Sequence, residues 1–271
     1  MNLNESRVVL VNDDGIDEIG LSILEQTLRR FTKNYCIVAP TENQSGRARA
    51  TSYGDTVTLH RLAENRYSVS GTPADCALIA ISVLGQEYPF DLVISGVNDG
   101  ANVADDITAS GTIGACLQGA TMNVPGIAIS QNWLSNKQSN WHASTVLLPE
   151  LLPRLVQTIE NRRMVLNVNL PVLSEGSSKA SLAVVKAGYR IGPVSICERE
   201  CKTGDRCFKI RDIRSDVANE SGCDLDMVNR GYVVVTPLTL DQTDYNSLDD
   251  ISKIEFIKEF SFVLKMTFNV Q

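Results

Sequence analysis

The chain has 271 residues, 43% of them hydrophobic, which is enough for a full globular core. Its formal net charge of -7 speaks against duplex nucleic acid as a partner, because neutralising phosphates calls for a basic face. The polar N-terminus lacks a signal-peptide pattern, and no apolar run approaches the roughly 18 residues of a membrane span, so no membrane partner is expected.

The first predicted element is the run Val8-Val9-Leu10-Val11, an unbroken β-branched and aliphatic stretch that reads as a strand buried on both faces. It ends abruptly in Asn12-Asp13-Asp14-Gly15. In open α/β sheets ligands collect beyond the carboxyl ends of strands. Two adjacent carboxylates held there repel each other unless a cation sits between them. Leu21, Leu24, Leu28 and Phe31 then recur at helical spacing, and Tyr35 to Ala39 reads as a second strand, closing a βαβ unit. The polar loop from Thr41 to Arg49, with Ser45 and Gly46, leaves that strand on the same edge.

Thr56 to Arg61 and Arg66 to Ser70 read as a strand pair, with His60 on its surface. Thr72 and Pro73 suit the cap and first position of a helix running to about Leu84. Asp91 to Ser95 is another buried strand, followed by a glycine- and amide-rich loop with Asn98 and Asn102. That loop leads to Ser110-Gly111-Thr112, a helix start whose free N–H groups and hydroxyls suit an anion. Gly126 to Ser130 is a strand, and residues 131 to 140 form a polar seam. A helix to about Asn161 follows, starting near His142 and interrupted or kinked at Pro149 and Pro153.

Met164 to Asn169 is a strand, Leu173 to Asp226 reads as hairpins projecting from the sheet, and Arg230 to Pro237 returns to strand. Leu248 to Lys265 carries Ile251, Ile254, Ile257 and Phe260 at helical spacing. Seven cysteines without a secretion signal suggest reduced thiols and a cytoplasmic protein. The spacings of Cys197, Cys201, Cys207 and Cys223 do not match a zinc ribbon. Two histidines leave little material for a histidine-based metal site or a Ser-His-Asp triad.

Asp13, Asp14, Ser45 and Asn98 thus gather on one sheet edge. With their flanks they resemble the SurE family of metal-dependent nucleotidases. The matching stretches are Val11 to Gly15, Ala39-Pro40 through Gln44-Ser45-Gly46, Gly71 to Cys76, Ser95 to Asn98 with Gly100 to Asn102, and Ser110 to Thr112. Asn167 to Asn169 with Pro171, and Gly231 to Val233 through Leu238, continue the match in order. The resemblance implies an α/β fold: a Rossmann-like three-layer sandwich with a mostly parallel sheet, a projecting β-hairpin region and a C-terminal exchange segment. On this reading residues 1–172 form the metal- and phosphate-binding core. Residues 173–271 hold the hairpin excursion, the returning strand and the oligomerisation segment of one structural domain.

The activity implied is hydrolysis of nucleoside 5′- and 3′-monophosphates, with one divalent ion per subunit and a homodimer or homotetramer clasped through the C-terminal segment. The implied metal ligands are Asp13, Asp14, Ser45 and Asn98, all oxygen donors that suit Mg²⁺ or Mn²⁺. Asp13, Asp14 and Asn98 are the expected catalytic residues. Asn12, Gly46, Asn102, Ser110, Gly111 and Thr112 are the expected phosphate contacts. Two departures from the family pattern bear on substrate preference: Ala109 in place of an aromatic residue, and Arg47 and Arg49 after Ser45-Gly46. The competing readings are an aspartyl-phosphate phosphatase, disfavoured by Gly15 where a second Asp belongs, and a non-catalytic nucleotide- or metal-binding regulator. The tail beyond Asp250 lies outside the resemblance.

Overall fold

The computed structural model describes residues 1–134, 139–159, 163–191, 194–200, 206–212 and 218–251. Its strands are β1 (Val8–Val11), β2 (Tyr35–Pro40), β3 (Leu59–Ala63), β4 (Arg66–Val69), β5 (Leu92–Asp99), β6 (Gly126–Gln131), β7 (Val165–Leu170), β8 (Leu182–Val184), β9 (Val194–Arg199), β10 (Cys207–Asp212) and β11 (Val233–Leu238). The helices are α1 (Ile19–Leu28), α2 (Pro73–Ile79), α3 (Asp106–Ala109), α4 (Gly111–Thr121), α5 (His142–Gln157), α6 (Asp224–Asn229) and α7 (Tyr245–Ile251). A π-helical turn, Ala80–Leu84, continues α2.

Nine strands form one sheet in the order β3-β4-β2-β1-β5-β6-β7-β11-β8, and β9 and β10 form a separate antiparallel hairpin. The six strands from β4 across to β7 pair in parallel, and β11 turns antiparallel against β7. The chain winds outward from β1 to β2, then returns to place β5 on the other side of β1. The strand order therefore reverses between β1 and β5, the position where an open α/β sheet leaves a crevice beyond its strand ends.

The alternation of β1 builds the layers. Val8 and Leu10 pack with Leu21, Leu24 and Leu28 of α1 and Leu148 and Leu152 of α5 on one face. Val9 and Val11 pack with Ala77 of α2 and Ile113, Ala115, Cys116 and Ala120 of α4 on the other. All four β1 side chains are fully buried, which is why the run shows no polar alternation. A smaller cluster of Val103, Ala104, Cys223, Leu225, Val228 and Val234 lies apart from both.

Two sequence expectations are corrected. Pro149 and Pro153 sit inside an unbroken α5, because the burial of Leu148, Leu152, Leu155 and Val156 outweighs the hydrogen bonds that two prolines remove. Cys207 is disulfide-bonded, not a reduced thiol. Composition carries no information on the pairing geometry that decides a disulfide. Cys36, Cys76, Cys116 and Cys223 are free thiols.

Residues Met1–Leu240 form one compact unit and Asp241–Gln271 a second, in which α7 is the described helix. Ile251 of the expected apolar stripe, and Leu248 at the start of its segment, are exposed on α7, while Ile254, Ile257 and Phe260 lie outside the described residues. Among the described residues no helix is long and apolar enough to cross a membrane.

Candidate active site

The crevice at the switch point is a cavity of about 620 Å³, within the size range of small-ligand sites. Asp13, Ser45, Gly46, Asn98, Asn102 and Ser110 line it, as do Asp99 and Ala109. Further out, Val103, Leu134, Leu225 and Val228 give it an apolar wall, joined by Trp133, Arg190 and Asp106. The strand-end loops are tied to one another. The Gln44 N–H donates to the Asp13 carbonyl at 2.7 Å, and the Asp99 N–H donates to Oδ2 of Asp14 at 3.2 Å. Ala48 N–H donates to the Ala109 carbonyl at 3.0 Å, fastening the Ser45 loop to the approach to α4.

The acidic pair is the electrostatic centre. Asp13 is 3% exposed, and burial pushes its carboxyl up from the ordinary aspartate value. The Thr112 hydroxyl, and the N–H groups of Thr112 and Gly111, act in the opposite sense. Asp14 is pushed up to about 7, first by burial and then by the charge of Asp13. The charged neighbours that act on Asp14 are Asp13, Asp99 and Glu18, all acidic. A site whose carboxylates see burial and negative charge, with no cationic side chain among their perturbers, is one that a divalent cation would stabilise.

The other two expected donors fit such an ion. The Asn98 side-chain amide donates to the Gly100 carbonyl at 2.7 Å, which leaves its Oδ1 as an acceptor. Ser45 is exposed on the cavity wall, its loop shaped by an N–H bond to Oδ1 of Asn43. Among the described residues no three His, Cys, Asp or Glu side chains converge as a metal site. Asp13 and Asp14 would be the charged half of a mixed set completed by a hydroxyl and an amide.

The expected phosphate contacts divide into two groups. Gly46, Asn102 and Ser110 face the cavity. Asn12, Gly111 and Thr112 are not among the residues that line it. Asn12 is fully buried and its amide closes the turn by donating to the Gly15 carbonyl at 2.7 Å. Thr112 is fully buried, and its hydroxyl donates to Oδ1 of Asp13 at 2.5 Å. Gly111 is where α4 meets Asp13: a Cβ there would lie 2.8 Å from the Asp13 Cβ and 2.9 Å from its Oδ2. The anion at this helix start is thus the protein's own carboxylate, a placement the helix dipole favours.

Asn102 is a hub as well as a lining residue. Its amide donates to Ser130 Oγ at 2.9 Å, and its carbonyl accepts from the side chains of Asn167 and Asn169. Those contacts give a structural reason for the Asn167-Val168-Asn169 motif. Sequence reading missed the outer wall, where Arg190 is bonded to Asp106 through Nε and Nη2, at 3.1 and 2.7 Å.

The model of the family described as "Survival protein SurE" matches residues 8–191. The chain belongs to the SurE family. It is 33% identical over 259 residues to the 5′-nucleotidase SurE of Wolbachia pipientis wMel, covering 94% of this chain and 98% of that one. The 5′-nucleotidase SurE of Bradyrhizobium sp. is 36% identical over 245 residues, covering 88% and 95%. The crystal structure of the SurE protein from Aquifex aeolicus superposes with a TM-score of 0.75 at 29% identity, covering 90% of this chain and 98% of that chain. The SurE match takes in every residue of the acidic pair, the Ser45 loop, the Asn98 loop and the α4 start.

Proposed function

We infer that the protein is a 5′-nucleotidase of the SurE type, a metal-dependent nucleotide phosphatase. The observation that carries this reading is the Asp13–Asp14 pair, with Asp13 buried and Asp14 half-buried among acidic neighbours, where Asp13 lines a nucleotide-sized cavity at the switch point of the sheet. In finer detail, one Mg²⁺ or Mn²⁺ ion per subunit would be held by Asp13, Asp14, Ser45 and Asn98, and 3′-monophosphates would be substrates beside 5′-monophosphates. The bound cation supplies Lewis acidity, neutralising phosphoryl charge and lowering the pKa of water at the site.

The chain's own residues do the rest. Ser110 and the Gly46 backbone offer donors to the phosphoryl group from the cavity wall, fixed in place before substrate arrives. The Ser110 Oγ accepts from the Ile113 N–H at 3.2 Å, so its proton is left to point outward. Asp13 is held by Thr112 and lies against the α4 start, which supports a ligating role over attack and disfavours an aspartyl-phosphate route. A homodimer or homotetramer built through the C-terminal segment completes the proposal. Light scattering on a chain cut after Ser247 tests it, since an unchanged mass per particle would remove that role.

The deciding experiment is phosphate release from a nucleotide panel with and without chelator, run beside trapping of a covalent intermediate. Activity is expected to vanish on chelation and return with Mn²⁺ or Mg²⁺. Full activity after confirmed metal removal, or a trapped phosphoenzyme, would sink the mechanism.

A further inference from the structure

We propose that Trp133 is the nucleobase platform of the cavity, the residue through which the protein prefers nucleotides to base-free phosphate esters; the proposal rests on the phosphatase reading above. The cavity has two chemically distinct parts. Asp13, Ser45, Gly46, Asn98 and Ser110 are polar groups suited to an ion and a phosphate. Trp133, Leu134, Val103, Leu225 and Val228 are apolar groups suited to a flat, weakly polar ring. Among the described residues Trp133 is the one aromatic that lines the cavity, and Ala109 adds only a methyl group to the wall.

The ring is set before any ligand enters. Its Nε1–H donates to Oδ1 of Asp99 at 2.6 Å, and the same oxygen accepts the Ser139 hydroxyl at 2.6 Å. It also rests against Gly100, where a Cβ would lie 2.7 Å from Cζ2 and 2.9 Å from Cε2 of the indole. The glycine is required there because any side chain would push the ring away. So held, Trp133 is still 40% exposed. An aromatic surface fixed by one polar bond and one backbone contact binds a base with little ordering entropy, and every base has a face to stack. Trp133 also connects to the acidic pair, since the Asp99 backbone N–H bonds Asp14. Position next to the chemistry and a free aromatic surface therefore coincide in one side chain.

The test compares adenosine monophosphate with ribose 5-phosphate, which keeps the phosphate and sugar and lacks the base. Trp133→Ala is expected to raise KM for the nucleotide roughly tenfold, in the range of base–aromatic stacking, and to change KM for ribose 5-phosphate far less. Trp133→Phe should keep most of the nucleotide preference. Equal losses on both substrates, with a raised metal requirement, would show that Trp133 only braces the Asp99 loop, and the proposal falls. Unchanged constants on both substrates overturn it as well.

Binding gives a readout independent of turnover. The chain has two tryptophans, and the other, Trp141, is partly buried against the core. Adenosine is expected to quench fluorescence of the unaltered protein and not of Trp133→Phe. No quenching in the unaltered protein overturns the platform even if phosphatase activity is present. Absence of turnover on both substrates with every divalent ion, alongside retained quenching, would instead count against the phosphatase reading alone.

Discussion

The Thr112 hydroxyl donates to Oδ1 of Asp13 at 2.5 Å, joining the first residue pair of the α4 helix to the end of the central strand. The hydroxyl is therefore spent on Asp13, the proposed metal ligand, and Thr112 is not among the residues that line the cavity. Partners behind a metal ligand typically change metal affinity or activity by about 10–100-fold when removed. Thr112→Val is expected to fall in that range and to raise the concentration of Mn²⁺ or Mg²⁺ needed for half-activation, while Thr112→Ser retains most activity. A variant with a raised KM and an unchanged metal requirement would return Thr112 to the phosphate.

Asp13→Asn should separate activity from stability. The substitution removes one of the two proposed anionic ligands and also relieves the repulsion between Asp13 and Asp14 in the metal-free protein. Activity is expected to fall by more than the roughly 100-fold upper range of an outer partner. The metal-free melting temperature should stay level or rise, and the shift on adding metal should shrink. A large drop in the metal-free melting temperature would make Asp13 a structural residue first.

Asp75 supplies a pH-dependent contribution away from the site. Although burial raises its pKa, the bonds from Ser52 and Thr72 dominate and hold the carboxyl below its ordinary value. Its oxygens accept the Ser52 N–H at 3.0 Å, the Ser52 hydroxyl at 2.7 Å and the Thr72 N–H at 2.9 Å, completing a capping box for α2. A depressed folded pKa gives stability that is fully present above the unfolded value, near 3.9, and is lost as pH falls through the folded value. Asp75→Asn is expected to cost about 1–2 kcal/mol at pH 6 and less at pH 3, measured by urea unfolding. A difference that does not shrink with falling pH would show that the carboxylate charge is not what stabilises the loop.

Asp224 pins the outer wall. It is fully buried and accepts N–H bonds of 2.8 Å from Ala104, Gly188 and Leu225, three separate stretches of chain. Asp224→Ala leaves those donors without a partner at a cost of about 2–4 kcal/mol. Amide exchange at Ala104, Gly188 and Leu225 is expected to accelerate together, with KM for nucleotides rising more than kcat falls. Exchange rising at only one of the three would show that Asp224 does not couple them.

Much of this was legible where local pattern and tertiary role coincide. The apolar run Val8 to Val11 announced a strand buried on both faces, and Thr72-Pro73 and Ser110 announced helix starts that the structure shows with their caps in place. The α4 start was read as a site for a bound anion, and in the structure a side-chain carboxylate lies against it. Sequence could not say that it is Asp13, because that depends on how closely two strand-end loops approach. Trp133 lay in a stretch that reads only as a polar seam. Arg190, Leu225 and Val228 carry no local signal at all, since the cavity reaches them through strand order and not through neighbours in the chain.

The cavity is also divided along the chain. The four expected ion donors, Asp13, Asp14, Ser45 and Asn98, precede Thr112, while Arg190 and α6 in the outer wall come after β8. The expected ion donors and this part of the outer wall are therefore written in different stretches. A chimaera that takes residues 185–230 from a relative and leaves the first 112 in place could inherit a new substrate range without rebuilding the catalytic centre. The seam for such a graft is already present in the Asp224 bonds, which cross it at Ala104 alone among their three partners.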